Sequence, residues 1–419
     1  MGRLFQPACS LLALTLIASA LIQGDSPARA ALTYEVEVGR YFDSTDPSKE
    51  SMRFYPAALD VHQGDILHFS TEAFHGVSLL PVGEDVSSWL GTYAGGTDRL
   101  WSAFVSDPDE GRDSFKVNRR VVSPSDVCGW PSQSACEFDG ADPSAPGGVL
   151  HSGLAIYPTS GGAELKKLDF SVAINADPGQ IIHVVDLLNP GMRMEVRVVP
   201  AGQPASDQSE LDAESATLFA QDARKAASLH KNYSAKKVKR VIGGKPTWLA
   251  WAGVETATVS LRRAYPEKLT IKKGQRIRWL FTKNIYSSHS ITFPMARGRS
   301  TAMAFPEVVC DPDGDFVDPS GEQPAQPDEA PTSTSPPYCD ADPQLELDVP
   351  DEMTVSAGNA KLNSASDFET SGARGKGYAT TTAPYTLAFT KPRKKGYRFI
   401  DVTGFPGYLA VTGRVVVKK

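Results

Sequence analysis

The chain has 419 residues, 41% hydrophobic and 22% charged, a composition that sets intrinsic disorder aside and supplies enough chain for two or three domains. Its formal net charge of −6 argues against a nucleic-acid partner or an anionic membrane surface, since both require a basic footprint.

The first element is a leader. Arg3 precedes an apolar run over residues 8–22, and a polar stretch then ends in Ala28-Arg29-Ala30. A short basic region, an apolar core and an A-x-A end predict a cleavable secretory signal, cut near Ala30. The run is short for a bilayer span, and Cys9 lies before the apolar core, where it does not suit a lipid anchor. No later stretch approaches the roughly 18 apolar residues of a spanning helix. The expected localisation is secreted or periplasmic, with no transmembrane segment in the mature chain.

After the leader, LTYEVEV alternates apolar and polar residues as a half-buried strand does. Then comes YPAALDVHQGDILHFSTEAFHGVSLLP, which begins at Tyr55 and has a second copy from Tyr265, YPEKLTIKKGQRIRWLFTKNIYSSHSITFP. Each copy opens Tyr-Pro, continues with an apolar pair (Leu59 and Val61, Leu269 and Ile271) and reaches a turn glycine (Gly64, Gly274). A strand with Phe69 or Trp279 follows, and each copy closes on a histidine, His75 or His289. The match continues downstream: FSVAINAD and GQIIHVVDL, ending in MEVRVV, correspond to YTLAFTKP and KKGYRFIDV, ending in GRVVVKK. Whole domains are therefore duplicated.

Between the copies, Asp207 stands three residues before Glu210, the spacing of a helix N-cap, and residues 211–229 are rich in helix formers. Leu211, Leu218, Phe219, Ala223 and Ala226 form a narrow apolar stripe, which predicts a linker helix packing one face onto a domain. The basic run after it (Lys231, Lys236, Lys237, Lys239, Arg240) reads as a solvated linker, with an acidic partner as the other reading. Both domains carry a Pro- and Asp-rich insertion containing a cysteine pair. Because each pair falls at the same place in its own copy, Cys128–Cys136 and Cys310–Cys339 are the expected disulfides. Neither pair has C-x-x-C spacing or a nearby histidine, as a metal site would require. The expected fold class is all-β: residues 31–200 and 246–419 form two Greek-key β-sandwiches, joined by a helical, basic linker at 201–245 and bearing disulfide-pinned insertions.

The run Y-P-x-x-L-x-V-x-x-G, an aromatic strand, then His75 before Gly-Val or His289 before Ser-Ile, resembles the N-terminal half of a cupredoxin. That is the β-sandwich of plastocyanin, amicyanin and multicopper oxidase domains. The resemblance covers most of both domains and implies two tandem cupredoxin-like sandwiches. In that family copper is held by this early histidine together with Cys, His and usually Met near the C-terminal loop, a set that tunes copper for electron transfer. The histidine carries over as His75 and His289. The remaining ligands do not: where the family has Tyr-x-Tyr-x-Cys, this chain has residues 181–185 ending in Val185, and residues 397–401 ending in Asp401. The resemblance thus implies type 1 copper places without a thiolate.

Other chemistries are weighed by count. A trinuclear oxidase centre needs about eight histidines, mostly in H-x-H pairs, whereas this chain has seven and no such pair. A non-blue copper site in the first domain would draw on His75, His183 and Met192 or Met194, with His289 as its counterpart in the second. His62, His68, His151 and His230 read as surface or structural residues. The acidic run at 311–318 has carboxylate spacing like a calcium loop and Glu322 at the twelfth place, but Pro312 and Gly314 break the standard turn, so a solvated loop is expected and calcium is not. There is no G-x-S-x-G elbow and no phosphate-binding glycine loop. The expected role is a non-enzymatic binding or interaction protein that requires no cofactor and meets a protein or cell-envelope partner. The alternative is a copper-binding or electron-transfer protein using the non-blue site.

Overall fold

The computed structural model describes residues 29–419 apart from 74, 95–103, 107–114, 119–127, 129–135, 144–145, 155, 160–161, 166–167, 284–286, 299–343, 348–359, 377–380 and 403–411. The leader, the Cys310–Cys339 pair and the acidic run at 311–318 lie outside these residues.

The chain is all-β, with one long helix between its halves. In the first half, strands Thr33–Tyr41, Lys49–Tyr55, Ile66–Thr71, Leu168–Ile174 and Cys136–Phe138 belong to one sheet. Strands Ala58–Val61, Arg193–Val198, Ile181–Val185, Gly76–Leu79 and Leu150–Leu154 form a second. Their inner faces share one core, in which Tyr34, Phe54, Phe69 and Phe170 of the first sheet meet Leu59, Val77, Val184 and Val196 of the second. Alternation drives this: along Arg193–Val198 every second residue is buried and the others are exposed. The second half repeats the arrangement. Strands Lys245–Thr256, Arg276–Leu280 and Tyr385–Phe389 cover Lys268–Lys272, Thr412–Lys418, Arg393–Ile400 and Thr292–Phe293. Trp279, Phe389, Phe293 and Phe399 centre its core. Each half is a β-sandwich, as the sequence predicts.

The duplication is visible in local detail. Gly64 and Gly274 hold φ of 88° and 83° in equivalent turns, a conformation that glycine adopts without strain. The first strand of each half has a bulge at the same place, between Val38 and Arg40 and between Ala252 and Val254. The skipped residue is Gly39 (φ 64°) in one and Gly253 (φ 76°) in the other. Cys128 and Cys136 are disulfide-bonded, with Cα atoms 4.6 Å apart.

The two sandwiches share a continuous sheet. Lys49–Tyr55 pairs antiparallel with Val259–Tyr265 in the register Ser51↔Val259, Glu50↔Ser260 and Lys49↔Leu261. Two further backbone bonds extend the seam, Met52 N to Thr258 O at 3.0 Å and Arg262 N to Ser48 O at 2.8 Å. Arg263 reaches across to Asp46 at 2.5 Å. Burial works against ionisation of Asp46, but hydrogen bonds from Arg263, Ser48 and Lys49 hold its carboxyl well below the usual range.

Helix Gln208–Ser234 begins where the capping spacing predicts, with the Asp207 carboxylate accepting from the backbone of Ser209 (2.9 Å) and Glu210 (3.2 Å). It is longer than its apolar stripe suggests, and it lies across the seam. Asp222, 2% exposed, accepts from Arg53 (2.7 Å) and Tyr55 (3.1 Å) of the first sandwich and from Thr258 (2.7 Å) of the second. Phe219 stacks on Phe42 of the first, while Tyr233 packs edge-on against Trp251 of the second. The basic residues that follow are partly placed by structure: Val238–Ile242 is a strand paired with Lys245–Thr256, and Lys236 lies 4.7 Å over the rings of Tyr233 and Trp251.

Candidate functional site

His75 sits just before strand Gly76–Leu79 and is 1% exposed. Both ring nitrogens are engaged. Nδ1 lies 2.7 Å from Asp186 Oδ2, and Nε2 lies 2.7 Å from Glu50 Oε1. Asp186, fully buried, also accepts from Asn189 Nδ2 (2.7 Å) and from the backbone of Leu188 (2.9 Å). The second oxygen of Glu50 pairs with Arg262, which enters from the other sandwich. Buried charges need such partners, because an unpaired one would cost several kcal/mol. The close packing of this network explains the bulge glycine: a Cβ on Gly39 would fall 2.2 Å from His75 Nε2.

His289 is the counterpart in the second half. It is 2% exposed, and its Nδ1 lies 2.7 Å from Asp401 Oδ2. The other oxygen of Asp401 accepts from the backbone N–H (2.7 Å) and the hydroxyl (2.9 Å) of Ser290. Here the halves diverge. The residue facing Glu50 across the seam is Ser260, which donates to Glu255 at 3.1 Å. With no carboxylate at that place, His289 Nε2 is buried without a hydrogen-bond partner among the described residues.

Strand register corrects the sequence alignment by one residue. His183 faces Glu195, which faces Ala58; Arg398 faces Arg414, which faces Lys268. The equivalent of Asp401 is therefore Asp186 rather than Val185. The sequence contained the signal, because GQIIHVVDL and KKGYRFIDV set against each other align the two aspartates. Val185 is itself fully buried in a small apolar cluster with Trp89 and Leu187.

No hydrogen bond or ion pair joins the other candidate ligands to His75 among the described residues. His183 is only partly buried, and its neighbours Ile182 and Val184 are fully buried, so its side chain leaves the sheet on the outer face. Met192 and Met194 are 1% and 2% exposed and belong to the hydrophobic core. These residues do not fit a type 1 copper centre. No thiolate is present at the site, and the two carboxylates on His75 approach different ring nitrogens, hence different sides of the ring. Among the described residues no group of three or more His, Cys, Asp or Glu side chains is placed to hold a metal ion. Of the histidines read as structural, His151 is fully buried with Nδ1 2.7 Å from Ser78 Oγ, and His230 Nδ1 lies 3.1 Å from Tyr265 Oη. Among the described residues no helix is long and apolar enough to cross a membrane.

No family model matches the chain, and no curated protein sequence matches it. Several solved structures are similar to it. The multicopper oxidase mgLAC shares 12% identity over 63% of this chain and 64% of its own, with a TM-score of 0.15, so this chain spans under two thirds of that oxidase. The Cu-containing nitrite reductase NirK from Thermus scotoductus SA-01 shares 10% identity over 93% and 99% of the two chains, with a TM-score of 0.22. Fet3p, a multicopper oxidase that functions in iron import, shares 10% over 93% and 52%, with a TM-score of 0.14. These neighbours correct one expectation. The chain was expected not to be an enzyme, yet the proteins it is similar to are copper enzymes, so catalysis as a class is not excluded. The histidine count and the missing nucleophile elbow bear only on a trinuclear centre and on serine hydrolysis. They do not extend to every reaction. At these scores the neighbours assign no activity to this chain.

Proposed function

We propose that the chain works outside the cytoplasm as a binding or interaction protein. In this reading residues 31–200 and 246–419 are two cupredoxin-like domains, and their ancestral copper places are occupied by histidine–aspartate pairs. The observation that carries the reading is the repetition of the pair: Asp186 and Asp401 each meet Nδ1 of the family's early histidine at 2.7 Å. Asp186 also accepts from Leu188 in its own loop and Asp401 from Ser290 beside His289, so each pair ties the histidine's segment to the one that carries the aspartate. The same substitution in both halves turns a ligand place into an internal fastening. What remains for function is the surface of a rigid double sandwich and its long insertions, the places where contacts to a protein or cell-envelope partner are usually built.

The test is copper loading of the purified mature protein, followed by visible spectroscopy and metal analysis of wild type, His75→Ala and His289→Ala. The expected result is a colourless protein whose copper content does not change in either variant. Intense visible absorption, or stoichiometric copper lost in His75→Ala, would establish the copper-binding or electron-transfer alternative instead.

A further inference from the structure

The outer face of the second sandwich differs from its twin. In the first sandwich, three neighbouring strands place Ala58, Glu195 and His183 in one row, and the adjoining row pairs Arg197 with Asp60 at 3.5 Å. That face is compensated. The equivalent row in the second sandwich reads Lys268, Arg414, Arg398, three cations directly opposite one another on adjacent strands. Like charges in such cross-strand positions repel and destabilise the pairing. No ion pair joins Arg398, Arg414, Arg393 or Lys395 to an acid among the described residues. Asp367, on the same rim, is engaged by the backbone N–H groups of Asn363 (2.7 Å) and Ser364 (2.8 Å).

These cations border a groove. An open cavity of about 820 Å³ is lined by Arg393, Lys395, Arg398 and Arg414, with Pro294 and Met295 supplying an apolar wall. Its volume lies within the range of about 300–1,000 Å³ typical of small-molecule sites. Strand Arg393–Ile400 has a bulge between Arg393 and Tyr397, and Arg393 lies 5.7 Å over the Tyr397 ring while its Nε donates to Gly396 O at 2.9 Å. One arginine is thus held in place, and two others are left with free guanidinium forks suited to bidentate contact with an oxyanion.

We propose that this groove binds a small organic anion with an apolar body: a phosphate or carboxylate head group between Arg398 and Arg414, and an aromatic or alkyl portion against Pro294 and Met295. The uncompensated row is the mark of the site, because a bound anion supplies the charge that the first sandwich supplies with Glu195 and Asp60. The inference stands apart from the proposed function, since none of these residues belongs to the histidine–aspartate pairs.

The experiment is isothermal titration of the purified full chain at low ionic strength with 1-naphthyl phosphate, inorganic phosphate and 1-naphthol. Saturable binding of one naphthyl phosphate per chain is expected, at least tenfold tighter than either fragment and weakened by added salt. The R398Q/R414Q variant should bind at least tenfold more weakly, while R197Q on the first sandwich changes affinity less than twofold. R398E measured without ligand provides a second readout, a higher melting temperature than wild type because it converts repulsion into attraction. The proposal is overturned by the absence of saturable binding or by unchanged affinity in R398Q/R414Q. Equal loss in R197Q, a lower melting temperature in R398E, or binding of an acidic peptide but not of naphthyl phosphate would overturn it as well.

Discussion

The two aspartates show how much one side chain can hold. Asp401 accepts from His289 Nδ1 and from both donors of Ser290, whose hydroxyl in turn accepts from Val402 N at 2.7 Å. Asp401→Ala leaves these donors buried without an acceptor, and the expected cost is about 3–5 kcal/mol in urea unfolding, the scale of a broken buried pair. His68 offers a different test. It bridges Glu35 (2.5 Å) and Asp169 (2.7 Å) on the outer face of the long sheet. Partial burial opposes its protonation, yet hydrogen bonds to the two carboxylates raise its pKa above the ordinary 6.5. A raised histidine contributes stability that is complete below the unfolded pKa and fades as pH rises through the folded one. His68→Asn should therefore lower the melting temperature clearly at pH about 5.5, and the difference from wild type should shrink as pH rises through the folded-state pKa. At this scale His75 and His289 were legible in the sequence, because a repeated histidine at a strand head stands out. Asp186 was legible only from the repeat, where GQIIHVVDL against KKGYRFIDV sets it opposite Asp401; the family's Tyr-x-Tyr-x-Cys template laid over residues 181–185 ends one residue short, at Val185, and strand register decides between the two.

At the scale of elements, the linker helix was readable in its start and uninformative about its purpose. Asp207 and Glu210 mark the N-terminus through local capping chemistry, which sequence spacing reports directly. The apolar stripe suggested packing on one domain. It could not show that the helix spans two, because the residue that does the spanning is polar. Asp222 takes bonds from Arg53, Tyr55 and Thr258, three residues that sequence separation gives no reason to bring together. Asp222→Ala is expected to cost about 3–5 kcal/mol. It should also loosen the coupling between the sandwiches, so that a single thermal transition in calorimetry broadens or splits in two.

At the scale of the whole molecule, two sandwiches were legible from the duplication and from strand alternation, while their arrangement was not. The residues of Lys49–Tyr55 and Val259–Tyr265, KESMRFY and VSLRRAY, read alike whether the strand edge meets water or another strand. Their pairing also has a symmetry. Glu50 faces Ser260, its own counterpart in the repeat, and the bonds from Met52 to Thr258 and from Arg262 to Ser48 exchange under the same half-turn. This is the isologous contact that two identical subunits make about a dyad. The chain has the geometry of a homodimer made covalent, with the Gln208–Ser234 helix as the tether that keeps the protomers together at any concentration. A single sandwich cut free would carry a bare edge along Lys49–Tyr55, the kind of edge that templates its own copy. Residues 31–200 expressed alone should accordingly self-associate through that strand in analytical ultracentrifugation, and a proline at Ser51 should leave them monomeric.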